Sequence, residues 1–522
     1  MTEFDLASVH EAIADALGDE PCVIADRTFS WRETTDRTRR LAAVLRTHGL
    51  GERRTAENPW ETGQDHLGVY LHNGPEYLEA VLGAHKASVV PFNINYRYTA
   101  TELAYLLRDS RAGAIVFGAA FAPILVEALA QNDSRPLLLQ VGGPLVEGAI
   151  DYEAALAGAD PRDGEPAAGP DDLHLVYTGG TTGMPKGVIW RIGDLLSGPM
   201  GIRNASTVSD VVERAVKIRG RVLPAPPLMH GAGTGIALGG WLGGATVVFQ
   251  PHPERFDAAT LLDTCEQQGV TSMAIVGDAF AAPLIADLEA NPRELPQLRL
   301  IVNSGAALSD VRKDRLRQLL PGVRITDMLG SSETGLHAKR DGATFTARGN
   351  TALIDDTRTR VIAPGEDEVG WLAQGGSIPL GYLGDPDKTS ATFVTIGGQR
   401  YSVPGDRAKL CADGTFEFLG REATTINTGG EKVFAEEVEQ VVRSLPGVGD
   451  AIVVGRPSTQ WGQEVVALYA GDIEVEQLAA GCRKNLAGYK IPKEFIRVDK
   501  VGRHANGKAD YAWAKAAAMK ET

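Results

Sequence analysis

The stretch Tyr177-Thr178-Gly179-Gly180-Thr181-Thr182-Gly183-Met184-Pro185-Lys186-Gly187 gathers glycine, threonine and a lysine into one turn, a combination that suits phosphate. Glycines let successive backbone N–H groups converge on one point, threonine hydroxyls add donors, and the lysine adds a positive charge. A Walker loop is excluded, because no glycine leads directly into Lys186 and Gly187 follows where Ser or Thr belongs. The bland alternative is a surface turn of small residues, which leaves the threonines and the lysine unexplained.

The spelling of this loop resembles the phosphate-binding signature of the adenylate-forming superfamily, which holds acyl-CoA synthetases, peptide-synthetase adenylation domains and luciferases. Further motifs of that superfamily recur in order: Pro227-Leu228-Met229-His230-Gly231, Asn303-Ser304-Gly305-Ala306-Ala307, Gly330-Ser331-Ser332-Glu333-Thr334, Pro404-Gly405-Asp406, Gly420-Arg421, Gly429-Gly430-Glu431 and Gly507-Lys508. The second glycine of the loop, Gly277-Asp278-Ala279-Phe280 and Ile426-Asn427-Thr428-Gly429-Gly430-Glu431-Lys432 are most similar to actinobacterial fatty-acid and steroid-acid CoA ligases.

The resemblance implies that ATP activates a carboxylic acid as an acyl-adenylate with loss of pyrophosphate, and that CoA then takes the acyl group. Such chemistry asks mainly for positioning and for neutralisation of phosphate charge. Thr178, Gly179, Gly180, Thr181, Thr182, Gly183 and Lys186 would hold the β- and γ-phosphates. Glu333, with Ser332 beside it and with Thr181, would bind Mg²⁺, since a carboxylate near phosphates is repulsive without a cation between them. Read alone, Glu333 is equally the first-turn acid of a helix. Asp406 would accept the ribose hydroxyls, where an ordinary turn aspartate is the alternative, and Arg421 would stand near ribose and α-phosphate. Gly305, Ala306 and Ala307 would form the strip under adenine, or mere close packing. Lys508, which otherwise reads as a solvated tail lysine, would reach the α-phosphate and carboxylate oxygens. His230 would gate the acyl pocket and not act as a base, because a carboxylate needs no deprotonation near neutral pH. Gly429 and Gly430 would wall the path of pantetheine.

Two positions depart from the pattern. Leu329 stands where a tyrosine usually stacks on adenine, so that contact becomes aliphatic and ATP binding weaker. Ala423 stands at the hinge position, with Thr424 beyond it, where backbone freedom matters more than charge. These departures, and the Lys339-Arg340 pair, keep a rival open: an adenylating enzyme with a nitrogen acceptor, including diazo formation from nitrite and an aryl amine. A nucleotide-binding protein without catalysis is the third reading, opposed by Lys186, Glu333, Asp406, Arg421 and Lys508. The acid is left open as fatty, steroidal or aromatic, since the small residues at 231–235 and 277–280 suggest only a roomy apolar cavity.

These residues need a frame. Helical spacing over 31–48 and 77–87 alternates with strands at 66–71 and 114–117, which implies a parallel α/β sheet. A Pro-, Gly- and Asp-rich connector at 159–172 leads to the phosphate-loop strand at 173–177, and a second α/β series follows through 261–268, 273–276 and 298–303. From about 338 to 419, Gly, Val and Thr point to a small β-rich subdomain. A separate α+β lid begins at 420, with helices at 435–444 and 474–486 and strands at 450–454 and 464–469. The fold class is therefore α/β: an N-terminal adenylation domain over 1–419, containing two parallel subdomains and the β-rich one, and a small mobile lid over 420–522.

With 522 residues and 43% hydrophobic content the chain exceeds one core. Its net charge of −15 opposes nonspecific contact with nucleic acid or anionic lipid. Cys22, Cys265, Cys411 and Cys482 lack metal or disulfide spacing and read as buried thiols in a reducing cytoplasm. The N-terminus lacks the order of a signal peptide. Residues 222–253 carry no charged side chain, yet their glycines and prolines favour a buried strand-loop-helix passage over a membrane span. ATP, Mg²⁺, CoA and a small carboxylic acid are the expected ligands, and a homodimer is compatible with all of this.

Overall fold

The computed structural model describes residues 4–178, 184–200, 202, 205–340, 342, 344–366, 368–428, 431–458, 461–486, 488–504 and 507–519. Two large sheets dominate. The first runs in the order Gly381–Tyr382, Lys186–Arg191, Leu173–Thr178, Val90–Asn93, His66–Tyr70, Ala112–Gly118, Leu137–Val141 and Ala149–Asp151. It is parallel from Leu173–Thr178 onward and antiparallel at the edge that carries the phosphate loop. Its parallel strands are buried, as a sheet covered by helices requires. Helix Trp31–Thr47, started by the Ser30 hydroxyl accepting from Glu33 N at 3.1 Å, lays Leu41, Ala42, Val44 and Leu45 into that cover.

The second sheet runs Thr346–Ala347, Gly335–Arg340, Arg324–Ser331, Leu300–Ser304, Ser272–Ile275, Arg221–Pro224, Thr246–Val248, Pro21–Ile24 and Thr28–Ser30. Its last two strands come from the N-terminus, far away in sequence. A buried charge cluster joins three helices: the Lys86 ammonium donates to Glu11 Oε1 at 2.6 Å, and Arg39 also pairs with Glu11. The helices Leu6–Leu17, Trp31–Thr47 and Pro75–Lys86 are thereby pinned together beside both sheets.

The uncharged passage at 222–253 forms strand Arg221–Pro224, helix Gly231–Leu242 and strand Thr246–Val248, and among the described residues no helix is long and apolar enough to cross a membrane. The region from 351 to 421 is an antiparallel six-stranded sheet, as its composition predicts, interrupted by helix Pro386–Thr392, which the Asp385 cap starts. A five-stranded sheet with helices Ala435–Ser444, Val475–Asn485 and Tyr511–Ala518 forms the smaller C-terminal domain. Its strands Val448–Ser458 and Gly462–Gly471 outrun the expected spans because they continue as one long hairpin. All four cysteines are free thiols; Cys22, Cys265 and Cys482 are buried, whereas Cys411 is only half-buried.

Candidate active site

The loop expected to hold phosphate is flanked by two paired strands. Leu173–Thr178 and Lys186–Arg191 pair antiparallel with Thr178 opposite Lys186, while Gly179, Gly180, Thr181, Thr182 and Gly183 lie outside the described residues. The strand end is fixed from the neighbouring strand: Tyr177 N donates to Asn93 Oδ1 at 2.8 Å, and Asn93 Nδ2 donates to the carbonyls of Tyr177 at 2.9 Å and Met229 at 2.7 Å. Asn93 thus ties the phosphate hairpin to the turn that presents His230. A second asparagine, Asn73, accepts from Leu228 N at 2.7 Å and donates to the Pro226 carbonyl at 3.0 Å, closing that turn from the other side. The Lys186 ammonium is held by Asp385, an ion pair that raises its pKa.

Glu333 lies in a turn between the antiparallel strands Arg324–Ser331 and Gly335–Arg340, which rules out the first-turn helix acid. Three elements immobilise it. The Tyr382 hydroxyl donates to Glu333 Oε1 at 2.8 Å, the Ser402 hydroxyl to the Glu333 carbonyl at 2.6 Å, and the Trp190 indole to the Ser332 carbonyl at 2.9 Å. Among the described residues no group of three or more His, Cys, Asp or Glu could enclose a metal. A carboxylate with one oxygen already bonded suits Mg²⁺ shared with substrate phosphates, the usual arrangement for this reluctantly dehydrated ion.

Asp406 and Arg421 face each other across strands Asp406–Leu410 and Phe416–Arg421. Arg421 Nε donates to Asp406 Oδ1 at 3.0 Å; the aspartate is buried while the arginine side chain is 47% exposed. Gly305, Ala306 and Ala307 follow strand Leu300–Ser304, where Gly305 takes φ +84°, a conformation that favours glycine. Asn303 holds this bend, accepting from Gly277 N at 2.6 Å and donating to the Ala306 carbonyl at 3.1 Å. Leu329 packs toward its cross-strand neighbour Ala338 and toward Leu353 and Phe416 of the β-rich sheet.

The C-terminal domain closes against this floor. Gly507, at φ +81°, lies so near Val276 and Ala279 that a Cβ there would touch both at 3.4 Å. Arg503 shapes the turn, pairing with Asp450 at 2.6 Å and donating to the Gly507 carbonyl at 3.0 Å. Arg312 joins the two domains by donating to Asp278 Oδ2 at 2.7 Å and to the Gly449 carbonyl at 2.6 Å. Lys508 consequently faces Arg421, Glu333 and Asp406 across the cleft. Its side chain stays accessible from the cleft mouth, yet the protein packed around it, and then Arg421, push its pKa below that of an ordinary lysine. His230 is half-buried; desolvation, then Lys508 and Arg97, bring its pKa down to about 3, and among the described residues its Nε2 makes no hydrogen bond. It is a neutral imidazole at physiological pH. Gly429 and Gly430 lie outside the described residues.

Beyond His230, helix Gly231–Leu242 turns Gly231, Gly235 and Gly239 toward open space, with nothing within 4 Å of where their side chains would begin, while Gly233 and Gly240 are tightly packed. At 1.5 Å rise per residue the open face is about 12 Å long.

Residues 10–370 match the model of the AMP-binding enzyme family, and residues 437–508 that of the AMP-binding enzyme C-terminal domain. The chain belongs to the AMP-binding enzymes. This AMP-binding enzyme is 42% identical to the medium-chain acyl-CoA ligase Mig of Mycobacterium avium over 99% of each chain. It is 36% identical to the 3-oxocholest-4-en-26-oate–CoA ligase of Rhodococcus rhodochrous over 98% of its own length and 95% of the relative's. Its fold is shared with the anthranilate CoA ligase AuaEII in complex with anthranoyl-AMP, at a TM-score of 0.84 and 20% identity over 99% and 97% of the two chains. A benzoate CoA ligase from Burkholderia xenovorans LB400 superposes at a TM-score of 0.81 and 22% identity over 98% and 100%. The AMP-binding enzyme described here is an adenylate-forming ligase of the acid–CoA type.

Of the motif residues, Glu333, Asp406, Arg421 and Lys508 lie within electrostatic reach of one another, and the 382–388 segment connects Glu333 to Lys186. Sequence reasoning missed the side chains that hold them: Asn73, Asn93, Trp190, Tyr382, Asp385 and Ser402. Only Asp385-Pro386, an N-cap followed by proline, carries a local signal.

Proposed function

We propose that this ligase activates an apolar, medium-chain or steroidal carboxylic acid. The observation that carries this is the open glycine face of helix Gly231–Leu242, which begins beside the half-buried, neutral His230. An uncharged imidazole at the entrance leaves the acid as a carboxylate and adds bulk, consistent with a gate and not with a general base. The names of the two curated relatives, a medium-chain and a steroid-acid ligase, support an elongated apolar substrate.

In adenylation, Lys186 exchanges Asp385 for the β- and γ-phosphates, with Thr178, Thr181 and Thr182 supplying donors. Glu333 and Thr181 would hold Mg²⁺, which supplies charge neutralisation on the phosphates. Asp406 takes the ribose hydroxyls, Gly305, Ala306 and Ala307 lie under adenine with Leu329 opposite, and Lys508 stabilises charge on the α-phosphate and carboxylate oxygens. With the division placed at 419/420, the C-terminal domain then turns about Ala423 and brings Gly429 and Gly430 to the pantetheine path.

Of the residues that keep the nitrogen-acceptor reading open, one has a structural role. Arg340 is committed to Asp327 at 2.8 Å and to the Phe345 ring, a structural role in the second sheet. The test is pyrophosphate release from the full chain across a panel of fatty, steroidal and aromatic acids, followed by mass analysis with CoA, an amine or nitrite. Thioester with medium-chain or steroidal acids is expected; adenylate that CoA never discharges would overturn the reading.

A further inference from the structure

We propose that Lys388 is a second cation of the pyrophosphate site, presented by the 381–388 segment opposite Lys186. The proposal rests on the ATP-dependent adenylation described above. Strand Gly381–Tyr382 runs antiparallel to the strand leaving the phosphate loop, with Tyr382 opposite Val188, and Leu383 N donates to the Gly187 carbonyl at 2.8 Å. The segment is therefore bonded along the backbone next to Lys186.

Three side chains from this segment then reach the phosphate machinery. Tyr382 donates its hydroxyl to Glu333, Asp385 grips Lys186, and the Lys388 ammonium stands 4.1 Å from the centre of the Tyr382 ring. Asp385 also accepts from Lys388 N at 2.9 Å, which fixes where the short helix carries the lysine. One ring thus has the Mg²⁺-ligand carboxylate at its hydroxyl end and a cation on its face.

The charges are unevenly matched. Lys186 has Asp385 as its anion, but among the described residues the Lys388 ammonium enters no ion pair and meets only the ring. A surface lysine ordinarily buries its stem and keeps its ammonium in water. Lys388 is half-buried, and desolvation lowers its pKa while Glu333 acts to raise it and Lys186 to lower it. A polyphosphate arriving between Lys186 and Glu333 supplies the anion this cation lacks. Asp385 serves as the resting counter-ion that the same polyphosphate displaces from Lys186.

The test is direct titration of the full-length protein with Mg²⁺–pyrophosphate and, separately, with AMP. Lys388→Met should weaken pyrophosphate binding about tenfold or more, the scale of one lost charge-assisted contact, with AMP affinity unchanged. Lys388→Arg should restore most of the loss. Equal pyrophosphate affinity in Lys388→Met and wild type would overturn the role, as would parallel loss of pyrophosphate and AMP affinity with a lowered melting temperature, which marks simple loss of packing on Tyr382. A wild-type protein that binds neither ligand would overturn the adenylation reading itself and this proposal with it.

Discussion

Arg421 and Asp406 are cross-strand partners, Nε to Oδ1 at 3.0 Å, at the point where the chain leaves the β-rich sheet for the C-terminal domain. The buried Asp406 carboxylate and the Arg421 guanidinium are thus one unit. Arg421 also lies near Lys508, so its charge acts on the lysine that the C-terminal domain carries.

This shared charge sets the behaviour of Lys508. Lys508→Ala should lower adenylate formation by roughly 100-fold or more, while transfer from a supplied acyl-adenylate to CoA survives. The pH sign follows from burial and Arg421, which lower the lysine's pKa. Its charge, and with it adenylation, is complete at lower pH and is lost as pH rises through a value below the ordinary lysine range. Pyrophosphate release in pre-steady-state assays between pH 7 and 10 would show this alkaline loss, and Lys508→Arg should move it upward. Equal damage to both half-reactions would remove Lys508 from the adenylation step.

How much of this was legible in the sequence follows from what local pattern encodes. Helix Ala435–Ser444 matched its predicted span because its apolar period lies within ten residues. The clamp between Tyr382 and Glu333 was invisible, since the two are far apart in sequence and meet only because Gly381–Tyr382 pairs with the phosphate hairpin. The same holds for Pro21–Ile24, whose partner is Thr246–Val248; periodicity states that a strand is buried and not which strand it joins. Glycines that open the acyl face also read like glycines that pack: Gly235 and Gly233 differ only in their neighbours.

The Glu11 cluster should matter for stability and not for chemistry. Glu11→Ala leaves the buried Lys86 ammonium without its carboxylate, and losing one partner of a buried pair costs about 3–5 kcal/mol. Denaturant unfolding should report a loss of that order, with adenylation retained in the folded fraction. A change below about 1 kcal/mol would mean that water replaces the carboxylate.

Glu436 introduces a pH dependence at the hinge. Its carboxyl accepts the Thr424 hydroxyl at 2.8 Å and crowds the α-carbon of Gly420, and burial, then Glu439, raise its pKa to about 7. The Arg421 and Thr424 hydrogen bonds oppose this shift without cancelling it, and Tyr511, Arg443 and Arg503 also face the pair. A carboxyl whose pKa is raised on folding favours the folded arrangement at low pH and loses that contribution as pH rises through about 7. Melting temperature should therefore fall between about pH 5 and 7 in the wild type, and the fall should flatten in Glu436→Gln. An unchanged slope would place the titration elsewhere.

The acyl face gives the sharpest test of substrate class. Gly235 sits one turn beyond Gly231, with nothing within 4 Å of the position its side chain would occupy. Gly235→Leu therefore costs no packing but projects an isobutyl group into the space assigned to the acid. Short acids that end before this point should keep their kcat/KM, while medium-chain and steroidal acids should lose about 10- to 200-fold, the range that a misfit of one or a few methylenes produces. Adenylate formation with short acids serves as the internal control for folding and for the nucleotide site. A uniform loss across the panel would mean that the helix carries the nucleotide and not the acid; no loss for any acid would place the acyl channel on another wall of the cleft.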